Sequence, residues 1–176
     1  VNSGITFIRV DLNPHVKIKA IINNVIDTKR GTTIGYNGAK IYTVEHLLSS
    51  IYGLGIDNII VEIDNIEPPI LDGSSKPFVD KILELGIRDL DKKKEYIKIE
   101  ETINYLNQSN GTAMKVSPAE NFSVNCKVDF SFGGIGEQNY KLDSISKYEN
   151  EISSARTFCS LNELKYLKEN NLIKGG

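Results

Sequence analysis

Residues 43–63 carry the clearest structural signal and read Thr43-Val-Glu-His-Leu-Leu-Ser-Ser-Ile-Tyr-Gly-Leu-Gly-Ile-Asp-Asn-Ile-Ile-Val-Glu-Ile63. Apolar residues at positions 44, 47, 48, 51 and 54 form one stripe of a helix over about 44–53, for which Thr43 is a good N-cap. Gly53 and Gly55 favour the end of that helix. Residues 58–63 are the most strand-like run in the chain. A helix followed at once by a strand predicts mixed α and β structure.

The segments before residue 43 predict strands. Residues 5–10 and 16–22 alternate or run apolar as strands do, and Asn13-Pro14 marks the turn between them. Residues 32–42 predict a hairpin whose turn is Tyr36-Asn37-Gly38.

A second helix is predicted after the first helix–strand unit. Ser75 is its candidate cap, Pro77 lies in its first turn, and Gly86 ends it. Its predicted buried face comprises Phe78, Val79, Ile82, Leu83 and Leu85.

The charged segment 88–95 is the predicted domain boundary. We therefore predict an α+β chain of two domains, each a sandwich of β-sheet and a helix pair, the second incomplete. Residues 1–90 form the first domain, without its N-terminal strands, and residues 91–176 form the front of the second. Within this second part we predict strands at 96–105, 112–117, 121–130 and 138–142 and a helix over about 161–170.

Composition excludes several classes of protein. The chain has 176 residues, of which 40% are hydrophobic and 25% charged, with a net charge of −2. This balance is that of a soluble globular protein and offers no basic surface for nucleic acid. No run is apolar enough for a transmembrane segment. Two cysteines, far apart, indicate a reducing cytosol rather than a disulfide scaffold.

Glu45 and His46 are adjacent at the start of the first predicted helix. The acid can simply complement the positive helix end, and the imidazole can be a satisfied, half-buried core group. Alternatively, the imidazole binds a metal while the carboxylate serves as a base toward metal-bound water. Spacing alone does not decide, because a catalytic zinc takes three protein ligands. His15 is predicted to be solvated, and Gly133-Gly134-Ile135-Gly136 to be a hairpin rather than a phosphate loop.

Longer motifs resemble a known family, the UDP-3-O-acyl-N-acetylglucosamine deacetylase of lipid A biosynthesis. The resemblance is strong over about residues 4–87 and 152–176 and weak over 93–150. The motifs occur in the family's order and with similar spacing: Thr43-Val-Glu-His-Leu-Leu-Ser-Ser50, Gly53-Leu-Gly-Ile-Asp-Asn58, Glu67-Pro-Pro-Ile-Leu-Asp-Gly-Ser74, Pro77-Phe-Val79, Ala155-Arg-Thr-Phe158, Tyr166-Leu and Leu172-Ile-Lys-Gly-Gly176.

The resemblance implies a zinc-dependent amide hydrolase. It matches His46 to a zinc ligand, Glu45 to the general base, Thr157 to the hydrogen-bond donor of the oxyanion, and Phe158 to a substrate-contacting aromatic. The substrate it implies is an acylated UDP-sugar, UDP-3-O-acyl-N-acetylglucosamine, which loses its N-acetyl group in the committed step of lipid A biosynthesis. It also implies a cytoplasmic monomer that takes this substrate from the inner-membrane boundary.

The family's other two zinc ligands and its general-acid histidine are expected beyond Gly176. The chain has only two histidines and no initiator methionine, so we expect a fragment that binds zinc weakly and is inactive alone. The alternatives are a non-catalytic binding module that keeps the fold but has lost the metal site, and a purely structural domain.

Overall fold

Ten strands and four α-helices make up the part of the chain that the computed structural model describes, residues 3–130 and 134–169. The strands are β1 (Ile5–Arg9), β2 (Val16–Lys19), β3 (Val25–Asp27), β4 (Thr33–Tyr36), β5 (Ala39–Ile41), β6 (Ile59–Ile63), β7 (Ile103–Leu106), β8 (Ala113–Val116), β9 (Val124–Phe130) and β10 (Gly136–Leu142). The helices are α1 (Glu45–Gly53), α2 (Lys76–Leu85), α3 (Tyr148–Glu151) and α4 (Leu161–Glu169). The predicted α+β class is confirmed.

Two three-stranded sheets and α1 enclose the main core. One sheet has the order β2-β1-β6, with β2 antiparallel and β6 parallel to β1. The other is the antiparallel sheet β3-β4-β5. Side chains from both sheets and from the start and middle of α1 are fully buried in one cluster: Phe7, Ile18, Ile34, Ile41, Val44 and Ile51. The apolar side chains that alternate along the strands therefore pack in this core against the apolar stripe of α1.

The hairpin prediction is confirmed at its turn. Asn37 and Gly38 join β4 to β5, and both have positive φ angles, 47° and 78°. A two-residue turn of this kind requires two left-handed residues, which Asn and Gly tolerate best.

The predicted N-cap at Thr43 is wrong. Val44 holds the N-cap position of α1, and Thr43 instead adopts a positive φ of 51°. We attribute this to tertiary packing. The Val44 side chain is fully buried in the core, and the helix begins one residue later than predicted.

The second helix begins after Ser75 with Pro77 in its first turn, as predicted, but its buried face is narrower than predicted. Val79 is buried and Phe78 and Ile82 are half-buried, whereas Leu83 is 40% and Leu85 76% exposed. When a helix packs through one face, only the side chains nearest that face are buried.

The C-terminal half contains two separate antiparallel hairpins, β7–β8 and β9–β10. The strand predicted from residue 96 begins only at Ile103, where pairing with Val116 starts. The glycine-rich hairpin is confirmed by the pairing of β9 with β10, although residues 131–133 lie outside the described residues. The end of the last helix at residue 170 and the motif at 172–176 also lie outside them. The domain division at residue 90 stays a prediction.

Among the described residues, no helix has the length and apolar character needed to span a bilayer.

Tyr148, at the start of α3, packs on the C-terminal turn of α1. Its side chain is only 4% exposed, and its hydroxyl and the Ser49 hydroxyl are hydrogen-bonded at 2.7 Å. A Cβ placed on Gly53 would overlap the Tyr148 ring. The absence of a side chain at Gly53 therefore allows the C-terminal half to dock on α1.

We predict that Gly53→Ala destabilises the full-length protein by about 1–3 kcal/mol, the usual cost of overpacking. In an unobstructed helix the same change would stabilise by roughly 0.5–1 kcal/mol. The test is a double-mutant cycle in urea with Tyr148→Ala, in which the penalty of Gly53→Ala disappears. An equal penalty in both backgrounds would contradict the packing explanation.

Candidate functional site

The Glu45 carboxylate is held at the start of α1 by the loop between β3 and β4. Its Oε2 accepts a hydrogen bond from the Thr32 N–H at 2.8 Å. The Thr32 carbonyl in turn accepts from the Val44 N–H at 3.2 Å, so the loop and the helix start bind each other in both directions. A Cβ on Gly31 would lie 3.1 Å from Glu45 Oε1, closer than ordinary contact. A glycine at 31 thus lets the backbone approach the carboxylate, which also lies at the positive end of the helix dipole.

His46 is the second residue of α1 and is half-buried. Its imidazole makes no hydrogen bond or ion pair with residues 3–130 or 134–169. Within that part of the chain, no protein group occupies its ring nitrogens. His15 is exposed, as predicted.

The described residues do not by themselves complete a metal site. No group of three or more His, Cys, Asp or Glu side chains within them could hold a metal ion. A catalytic zinc takes three protein ligands, and His46 supplies one candidate.

Thr157 and Phe158 lie on an exposed segment between α3 and α4. The Thr157 N–H donates to the Gly73 carbonyl at 2.8 Å, and Arg156 Nε donates to the Asp72 carbonyl at 2.7 Å. Phe158 is 56% exposed, and its ring meets that of Phe130 edge-to-face at 5.1 Å. The segment is thus docked through the Thr157 backbone and the Arg156 side chain, while both predicted site side chains remain accessible.

The loop that receives Thr157 is rigidified by its own side chains. Asp72 Oδ1 accepts hydrogen bonds from both the hydroxyl and the N–H of the buried Ser74, at 2.8 and 3.0 Å. These bonds hold the pKa of the Asp72 carboxyl below its ordinary value of 3.8, and the charge of Arg156 acts in the same direction.

A capping box formed by Ser160 and Glu163 begins α4, directly after the segment that carries Thr157 and Phe158. Glu163 also connects α4 to the loop that binds Glu45. The Ser160 N–H donates to Glu163 Oε2 at 2.9 Å, and the Glu163 N–H donates to Ser160 Oγ at 3.1 Å. The bond from the Ser160 backbone lowers the pKa of Glu163. Arg30, next to Gly31, forms an ion pair of 3.6 Å with Glu163.

The predicted site residues thus fall into two pairs, Glu45 with His46 and Thr157 with Phe158. In the described part of the chain no hydrogen bond or ion pair joins one pair to the other, but the Arg30–Glu163 ion pair connects the loop that binds Glu45 to helix α4, which follows Thr157 and Phe158. Sequence reasoning missed Gly31, Thr32 and Gly73 as site-forming residues. The pattern Ser160-Leu-Asn-Glu163, by contrast, is a capping-box signal that can be found in the sequence, and it predicts the bonds between Ser160 and Glu163.

The site combines a carboxylate and an imidazole at a helix start with a hydroxyl on a docked segment. On an α+β fold these are the groups that hydrolases use for proton transfer and oxyanion stabilisation. All 176 residues match the model of the family described as LpxC: UDP-3-O-acyl N-acetylglycosamine deacetylase, and the chain belongs to this family.

Curated relatives agree with the family match. The chain is 40% identical over 176 residues to the bifunctional enzyme LpxC/FabZ of Chlorobaculum tepidum, covering 99% of this chain and 38% of that protein. It is 40% identical to the UDP-3-O-acyl-N-acetylglucosamine deacetylase of Syntrophus aciditrophicus, with 99% and 55% covered. The deacetylase of Pseudoalteromonas atlantica is 42% identical, with 99% and 58% covered. The chain therefore spans about half the length of the curated relatives it matches.

We predict that Asp72→Asn removes an acid-sensitive part of the stability. Because the folded pKa of Asp72 is lowered, its contribution is present above the unfolded pKa of about 3.8 and is lost as pH falls through the folded pKa. The measurement is the free energy of unfolding of both proteins from about pH 6 to about pH 2. The wild type is more stable at the upper end and the difference vanishes at the lower end. The exposed Asp91→Asn is the control, and a difference independent of pH would refute the assignment.

Proposed function

We propose that this chain is part of an enzyme that hydrolyses the N-acetyl group of UDP-3-O-acyl-N-acetylglucosamine in lipid A biosynthesis. The observation that carries the proposal is the Glu45–His46 pair at the start of α1, with the carboxylate held by Thr32 and the imidazole without a partner among the described residues. The family match over the whole chain gives this pair its chemical context.

Glu45 is proposed as the general base. Its Oε2 is engaged by the Thr32 N–H, and this bond orients the carboxylate while Oε1 remains to take a proton. The water oxygen attacks the acetamide carbonyl carbon as Glu45 removes one water proton. Collapse of the tetrahedral intermediate breaks the C–N bond, and the proton moves to the leaving amine, giving acetate and a free amine.

Thr157 is proposed to donate a hydrogen bond from its hydroxyl to the oxyanion of that intermediate. Its backbone is fixed on Gly73 while its side chain is exposed, so the donor is positioned before substrate arrives. Such preorganised donors are among the largest contributions to catalysis. The exposed ring of Phe158 is proposed to contact substrate nearby.

His46 is proposed as one ligand of a Zn²⁺ ion. The other two ligands would come from outside the described residues, since these do not complete a site. When bound, zinc lowers the pKa of water and polarises carbonyl oxygens. Following the family, we also propose a cytoplasmic monomer that takes its acylated substrate from the inner-membrane boundary.

Glu45→Gln in the full-length protein tests the base. The amide oxygen can still accept from Thr32 but the side chain cannot take a proton, so kcat falls by about 10²–10⁴-fold. Acetate release from the acylated UDP-sugar is the measurement, and Glu84→Gln on the exposed face of α2 is the control. Retention of kcat by Glu45→Gln would refute the assignment. Substrate binding without acetate release by the wild type would instead favour a non-catalytic binding module.

Thr157→Ala tests the oxyanion donor. Loss of one such donor costs about 10²–10³-fold in kcat, while KM changes little because the bond forms chiefly in the transition state. Thr157→Ser, which keeps the hydroxyl, loses less. Thr102→Ala, at an exposed hydroxyl, is the control. A loss confined to KM would show that Thr157 binds ground-state substrate only.

A further inference from the structure

We propose that Gly73 is a positioning residue that sets the orientation of Thr157. This inference rests on the proposed function, in which the Thr157 hydroxyl meets the oxyanion. Gly73 itself contacts neither substrate nor metal in the proposal, and acts only through the threonine.

Two successive carbonyls of one loop bind two successive residues of the other segment. The Asp72 carbonyl accepts from Arg156 Nε at 2.7 Å, and the Gly73 carbonyl accepts from the Thr157 N–H at 2.8 Å. The Gly73 N–H donates to the Ile70 carbonyl at 3.0 Å, which closes the turn. Gly73 has a φ of +80°, a conformation that residues with a side chain rarely adopt. The backbone position of Thr157 therefore depends on this left-handed turn.

The bare Cα of Gly73 also faces the threonine side chain. A Cβ at Gly73 would lie 3.4 Å from Thr157 Cγ2, at the short limit of ordinary contact. The Thr157 hydroxyl makes no hydrogen bond with any described residue. A β-branched side chain is stiff about χ1. In threonine the methyl group and the hydroxyl are both bonded to Cβ, so the position of one determines the position of the other. A methyl group at position 73 would therefore press on Cγ2 and, through χ1, turn the Thr157 hydroxyl.

Gly86 provides a matched control. It has the same φ of +80° at the end of α2, but a Cβ there would meet nothing within 4 Å. Alanine at 73 and alanine at 86 therefore both place a side chain at the same positive φ. They differ in whether the new methyl faces Thr157.

The experiment compares Gly73→Ala and Gly86→Ala in the full-length enzyme, with acetate release as the activity and thermal melting as the stability. We expect Gly73→Ala to lower kcat by about 10–10²-fold with KM little changed, because small displacements of a catalytic group have effects of this size. Gly86→Ala should lower the melting temperature but leave kcat unchanged. An equal loss of kcat in both variants would overturn the proposal.

Thr157→Ser supplies the decisive second arm, because it keeps the hydroxyl and removes Cγ2. In the Gly73→Ala background it should raise kcat above that of Gly73→Ala alone, and a double variant no more active than Gly73→Ala would overturn the proposal. If Gly73→Ala does not fold, Gly73→Asn replaces it, since asparagine tolerates positive φ better. The two failures are distinguishable. Normal kcat in Thr157→Ala would refute the oxyanion role itself, whereas normal kcat in Gly73→Ala with a defective Thr157→Ala would refute only the positioning.

Discussion

Burial of Val44 is the constraint on which the first half of the site depends. Its side chain is fully buried in the core cluster to which both sheets contribute, and its N–H is bonded to the Thr32 carbonyl, so the start of α1 is anchored at two points. Glu45 and His46 follow directly and are consequently held at the edge of the core, half-buried. A catalytic carboxylate benefits from such placement, because its orientation is set by packing and by the Thr32 amide before any substrate is present.

The second half of the site depends on contacts between residues far apart in the chain. In the described part of the chain, four contacts tie residues 148–163 to the N-terminal half: Tyr148 on α1, Arg156 on the Asp72 carbonyl, Thr157 on the Gly73 carbonyl, and Glu163 with Arg30. The hairpins β7–β8 and β9–β10, by contrast, are largely exposed. The position of Thr157 relative to Glu45 is therefore determined by α3 and by the segment that follows it. An exposed ion pair such as that of Glu163 is weak on its own, so the buried Tyr148 and the backbone bond to Gly73 carry most of this docking.

Local patterns in the sequence predicted what depends on local physics. The Asn37-Gly38 turn, α1 and β6 follow from turn chemistry and periodicity within a few residues, and all three are present. The N-cap was misassigned to Thr43 because side-chain propensity at a helix end yields to burial of the neighbouring valine. The same limit applies to the site. Glu45 and His46 are adjacent and visible as a pair, whereas the contact of Thr157 with Gly73 joins residues 84 positions apart and has no local signature.

Glu45, the proposed base, and Thr157, the proposed oxyanion donor, differ from His46 in the hydrogen bonds that hold them in place. Glu45 is bonded to the Thr32 amide, and Thr157 is bonded through its backbone to Gly73, so both are organised by the protein itself. His46 has no such support within residues 3–130 and 134–169. A metal-ligating histidine normally donates its second ring nitrogen to a carboxylate or carbonyl that fixes its orientation. His46 follows Glu45 in the first turn of α1. The proposed metal ligand is therefore placed by the same helix start, with Val44 buried in the core, that places Glu45.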